Sequence, residues 1–128
     1  MFDATLMEVG TKLVALSQAG KAREGLDTLY SEDAVSVEAA RMPGAEGTET
    51  HGLPAIRGKH DWWDSTMEMH SASAEGPFFH GEDSFGVIFE ADVTDKENGR
   101  RMQMKELGIY TIKDGKIVRE EFYYQAEG

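Results

Sequence analysis

At the start of the chain, apolar residues recur at three- and four-residue steps: Phe2, Leu6, Val9, Leu13 and Leu16. That spacing places them on one face of an amphipathic helix, and Gly20 suits the left-handed position just past its end. A shorter helix follows, with Ala22, Leu26, Leu29 and Tyr30 apolar against Lys21, Arg23, Glu24 and Asp27. Ser31-Glu32-Asp33 breaks it, and Ala34–Glu38 alternates like a short strand. Residues 41–52, with Pro43 and several glycines, read as a loop. Pro54 suits the first turn of a third helix, whose stripe is Ile56, His60, Trp63, Met67 and His70. Ser71–Pro77 leads into strand-like segments, with Phe78-Phe79 before a turn at Gly81-Glu82-Asp83, and Phe85–Val93 then alternates.

The final stretch, RRMQMKELGIYTIKDGKIVREEFYY from Arg100 to Tyr124, predicts a hairpin around Asp114-Gly115, a type I′ turn signal. A two-residue loop fixes the register. Lys113 then pairs with Lys116, Ile112 with Ile117, Tyr110 with Arg119, Gly108 with Glu121 and Glu106 with Tyr123. One face carries Met102, Met104, Glu106, Gly108, Tyr110 and Ile112 opposite Ile117, Arg119, Glu121 and Tyr123. The other carries Leu107, Ile109 and Thr111 opposite Val118, Glu120, Phe122 and Tyr124. Neither face is plainly polar. Charges buried on the first must be paired or used, and the apolar Leu107, Ile109, Phe122 and Tyr124 on the second call for a partner. A four-residue loop around Asn98-Gly99 sets Val93 opposite Met102, Ala91 opposite Met104 and Phe89 opposite Glu106. Glu90 then meets Lys105, and Thr94 meets Arg101, on the solvent side, which supports an inward Glu106.

The order helix, helix, strand, helix, then antiparallel strands defines an α+β class, with one curved antiparallel sheet wrapped around three helices. The 128 residues suffice for one domain, 1–128, with a sizeable core. A formal net charge of −11 argues against nucleic acid or an anionic membrane as partner. No apolar run reaches membrane-spanning length, and MFDATLMEVG lacks a signal-peptide pattern, so a cytoplasmic location is expected. The sequence contains no cysteine, which excludes disulfides, thiolate chemistry and cysteine-ligated zinc. It also lacks GxGxxG, a phosphate loop and Gly-x-Ser-x-Gly, and no cofactor is expected.

Three segments, LYSEDAVSVE, GLPAIRGKHDWW and IKDGKIVREEFYY, resemble the NTF2-like superfamily and its SnoaL-like, ketosteroid-isomerase-related group, in the family's order. The resemblance implies a cone-shaped pocket between the sheet and the helices, and a homodimer through the outer sheet face at Leu107, Ile109, Phe122 and Tyr124. It also places Glu38 where the family's isomerases keep their general-base carboxylate. Leu13 stands near the position of their oxyanion-donor tyrosine and Gly108 near that of their acidic donor, with Glu106 one pleat away. The fold hosts several reactions and non-catalytic binders, so a reaction does not follow from it.

Glu106 is the leading candidate for chemistry, because desolvation in an apolar cavity raises a carboxyl toward neutral pH. The alternative is a buried pair with Arg119 or a hydrogen bond with Tyr123. Glu121 and Arg119 share the expected inner face, where Arg119 either clamps a substrate carboxylate or neutralises the glutamates. Tyr123 and Tyr110 are candidate oxyanion donors. His70 and His60 lie on the inward stripe, ten residues and about 15 Å apart on one helix, too far to share a metal. No zinc motif is present. The expected catalytic set is therefore Glu106, His70, Glu38 and Tyr123. Glu121, Arg119, Tyr110, Trp63, Met67, Phe89, Met104 and His60 are expected to line the pocket, and Glu120 is placed outside. An acid–base enzyme of isomerase, cyclase or hydrolase type, acting on a small apolar molecule, is the leading reading. A small-molecule carrier or dimerisation domain is the alternative, and a carrier would show a sealed Glu106–Arg119 pair.

Overall fold

A computed structural model describes residues 3–42 and 44–125. Phe2 of the predicted stripe and Pro43 of the predicted loop lie outside them. Helix α1 spans Ala4–Gln18, α2 Ala22–Leu29 and α3 Leu53–Thr66. The strands are β1 Tyr30–Val37, β2 Glu49–His51, β3 Met67–His80, β4 Ser84–Asp95, β5 Arg101–Lys113 and β6 Lys116–Tyr123. They form one six-stranded sheet in the order β2-β1-β6-β5-β4-β3. The α+β class holds, and the sheet is mixed: β1 runs parallel to β6 and every other pair is antiparallel.

Local signals explain the helices. Asp3 caps α1 by accepting hydrogen bonds from the Thr5 and Leu6 amides at 2.9 and 3.1 Å. Gly20 closes it at φ 72°, with the Lys21 amide donating to the Leu16 carbonyl and the Gly20 amide to Ser17. Leu6, Val9 and Leu13 are buried as their spacing predicts, and α1 packs across β3 and β4. Pro54 occupies the first turn of α3, which packs on β1 through the fully buried Ile56.

Several boundaries differ from the sequence expectation. Tyr30 opens β1 rather than ending α2, and Ser31–Asp33 continue the strand. The predicted loop contains β2, paired with β1 through Val35–His51 and Val37–Glu49. Helix α3 stops at Thr66, whose hydroxyl donates to the Trp62 carbonyl at 2.7 Å. Met67 and His70 therefore belong to β3, where pairing with β4 overrides the helical spacing.

The β4–β5 register is the expected one, with Phe89 opposite Glu106 and Glu90 opposite Lys105. The β5–β6 register is not. Lys113–Lys116 and Ile112–Ile117 pair as predicted, but the next pair is Thr111–Arg119, which leaves Val118 as an extra residue. This bulge exchanges the faces of every later position on β6. Glu120 and Phe122 now share a face with Tyr110 and Gly108, whereas Arg119, Glu121 and Tyr123 turn outward.

Candidate functional site

The exchange brings Glu120 inside, only 2% exposed. Its two carboxylate oxygens accept hydrogen bonds from the Tyr30 hydroxyl and, at 2.6 Å, from the Ser36 hydroxyl. Ser36 sits directly beside Glu120 across the parallel β1–β6 pair, so the register itself sets this contact. The Lys59 ammonium, reaching down from α3, donates to Ser36 Oγ at 2.8 Å and pairs with Glu38 at 2.6 Å. It also stands 5.6 Å from the centre of the Phe122 ring. The Tyr124 hydroxyl completes the line by donating to Glu38 Oε2 at 3.2 Å. A continuous polar chain thus runs from Tyr30 through Glu120, Ser36, Lys59 and Glu38 to Tyr124.

Glu120, Lys59, Glu38 and Tyr124 of this chain line one side of a cavity of about 350 Å³ between α3 and the inner face of the sheet. Met42, His60, Trp62, Trp63, Met104 and Phe122 supply its apolar and aromatic walls. Glu106 enters from β5, and no hydrogen bond to its carboxyl is found among the described residues. Burial pushes that carboxyl up to about 7, the negative charge of Glu38 adds to the effect, and Lys59 opposes it. Glu120 is raised by burial too, with the bonds from Ser36 and Tyr30 pulling it back. Burial lowers His60, so its imidazole is neutral near pH 7. Burial and the Glu38 charge hold the Tyr124 phenol at about 12, which keeps it protonated as a donor. Three carboxylates thus face a single ammonium, and the one farthest from full pairing is Glu106.

Among the expected residues, Glu38, Glu106, His60, Trp63 and Met104 meet at this cavity. Phe89 and Tyr110 lie beneath it in the core; Tyr110 stacks on Phe85 at 5.0 Å and meets the Phe122 ring edge-on. The others are elsewhere. Tyr123 is 55% exposed, and Arg119 pairs with Glu121 at 3.2 Å on the outer face, not with Glu106. His70 is exposed, bonded to the Thr94 hydroxyl at 2.7 Å, and Met67 does not line the cavity. Phe122 and Tyr124, expected in the outer patch, are cavity residues. Lys59 is a cavity residue outside the expected set, although Ile56, Lys59 and Trp63 follow each other at helical steps of three and four. Glu120 was misplaced because a bulge leaves no mark in an alternating sequence. No group of three or more metal-ligating side chains is found among the described residues.

The SnoaL-like domain family matches residues 4–124. A proposed SnoaL-like polyketide cyclase from Mesorhizobium loti is 37% identical, with 92% of this chain and 97% of that one covered and a TM-score of 0.86. An NTF2-like protein from Burkholderia pseudomallei shares the fold at 17% identity, with 96% and 92% coverage and a TM-score of 0.76. So does TerC, crystallised with polyporic acid, at 17% identity, 95% and 92% coverage and a TM-score of 0.71. No curated protein sequence matches the chain. With the NTF2-like architecture on one side and a family match over nearly the whole sequence on the other, the chain belongs to the SnoaL-like domain family.

Proposed function

We propose that the chain is an acid–base enzyme that moves a proton on a small, largely apolar molecule bearing a carbonyl or hydroxyl group. The observation that carries this reading is Glu106: a carboxyl in an aromatic-walled cavity, held near pH 7, with no hydrogen bond of its own among the described residues. At that value both protonation states are populated at neutral pH, which is what a general acid or base requires. Glu106 would take the proton from a carbon next to a carbonyl, or return it. Lys59, fixed by Glu38 and Ser36, offers a positive charge to the oxygen on which charge develops. Tyr124 and Ser36 hold the two ends of that clamp. The name of the 37%-identical relative points the same way, since cyclising a chain of ketones begins with proton removal beside a carbonyl. The carrier alternative called for Glu106 sealed against Arg119, and Arg119 is bonded to Glu121 instead.

The test is proton–deuterium exchange at carbons next to the carbonyl in a panel of small cyclic diketones, followed by NMR. Wild type should accelerate exchange, Glu106→Asp retain part of it, and Glu106→Gln lose it. Full exchange by Glu106→Gln would defeat the assignment.

The reading includes a homodimer through the outer sheet face. The patch expected there changes membership: Phe78, Leu107 and Tyr123 are its exposed large apolar residues, with Ile88 and Ile109 between them. Leu107→Glu should convert a dimer to a monomer in sedimentation equilibrium, whereas a monomeric wild type would remove this part.

A further inference from the structure

A second cavity of about 200 Å³ adjoins the first, and Glu38, Met42, Lys59 and Trp62 line both. The Glu38–Lys59 pair is thus a shared wall, not the floor of a single pit. Beyond it lie Gly47, Thr48, Thr50 and Gly58.

Gly58 is the informative residue. It sits inside α3, where glycine is less favourable than alanine by about 1 kcal/mol. Its φ is not positive, so the backbone does not require glycine. A Cβ built there would meet nothing within 4 Å, so close packing does not require it either. What the missing side chain leaves is the open side of the smaller cavity. Away from Met42 and Trp62 the lining is of small residues, and it is uncharged apart from Glu38 and Lys59, which satisfy each other at 2.6 Å. Such a space offers an ion no unpaired counter-charge. Thr48 and Thr50 provide hydroxyls for an occasional polar atom, and Met42 and Trp62 form an apolar rim common to both cavities.

We infer that the substrate is elongated: a ring bearing the reacting oxygen occupies the larger cavity, and a narrow, uncharged side chain passes between Met42 and Trp62 into the smaller one beside Gly58. This rests on the proton-transfer reading of the larger cavity, and makes Gly58 a specificity-determining residue.

The probe is a homologous series of para-alkylphenols, from para-cresol to para-hexylphenol, titrated by quenching of Trp62 and Trp63 emission and checked by calorimetry. Wild type should bind roughly fourfold more tightly for each methylene that enters the smaller cavity. Gly58→Leu should bind para-cresol as wild type does but lose the gain with length. Gly58→Ala, which favours the helix, keeps the test readable if the leucine variant folds poorly, and should lose part of the gain. Equal gains with length in wild type and both variants would overturn the inference while leaving the ring site intact. Failure of para-cresol itself to bind wild type would defeat the ring site and, with it, the extension.

Discussion

Glu106→Gln tests the central electrostatic argument without a substrate. An isolated buried carboxyl and a buried ion pair respond to this change with opposite signs. Had Glu106 been paired with a cation, stripping its charge would strand that cation and cost about 3–5 kcal/mol. The structure instead places it near Glu38 and Glu120, with Lys59 already committed to Glu38 and Ser36. The carboxyl rises from an ordinary 4.5 to about 7. The folded protein therefore holds a proton that the unfolded chain has released, and stability falls as pH rises from about 4.5 and levels off above about 7. At about 1.4 kcal/mol per pH unit, an interval of roughly 2.5 makes the ionised form costly by at most about 3.5 kcal/mol. Glutamine resembles the protonated carboxyl and removes that cost. In urea unfolding, wild type and Glu106→Gln should be nearly equal at about pH 5, and the variant more stable by about 1–3 kcal/mol at about pH 8.5. The difference between the proteins is the quantity to read, because the other carboxylates titrate in both. A variant less stable at high pH, or a difference independent of pH, would refute the reasoning.

Four further substitutions have expected outcomes. Lys59→Met leaves Glu38 buried without its cation, in a pair whose side chains are only 17% and 14% exposed; urea unfolding should show a loss of about 3–5 kcal/mol, and a loss near zero would mean the pair is solvated. Tyr30→Phe removes a donor from the buried Glu120 and should cost about 1.5–3 kcal/mol, growing as pH rises because the remaining carboxylate is harder to keep ionised. Gly108→Ala would press a methyl to 3.0 Å from the Tyr110 ring and 3.1 Å from Phe89, and should lower stability by about 1–3 kcal/mol. Gly86→Ala is its control: the nearest atoms are the flexible ends of Ile109 and Leu107 at 3.4 and 3.5 Å, so the change should be neutral or stabilising by about 0.5 kcal/mol in thermal unfolding.

Elements whose signals are local can be read from the residues alone. The stripe Leu6, Val9 and Leu13, the Gly20 stop and the Asp114-Gly115 turn each reflect interactions within a few residues, and each appears where the spacing puts it. The inward Glu106 was legible too, because the solvent-side cross-strand pairs Glu90–Lys105 and Thr94–Arg101 are compatible with one register between β4 and β5. The remaining features depend on partners far along the chain. Met67 and His70 fit a helical stripe, yet β4 pulls them into a strand. Val118 is unpaired because β6 must satisfy β5 on one side and a parallel β1 on the other, and its bulge exchanges Arg119, Glu121 and Tyr123 for Glu120, Phe122 and Tyr124. Lys59 acquires its place from Glu38 and Ser36, which lie 21 and 23 residues away in sequence. Alternation records which residues share a face so long as no residue is inserted; where one is inserted, only the competition between neighbouring strands fixes which carboxylate the interior receives.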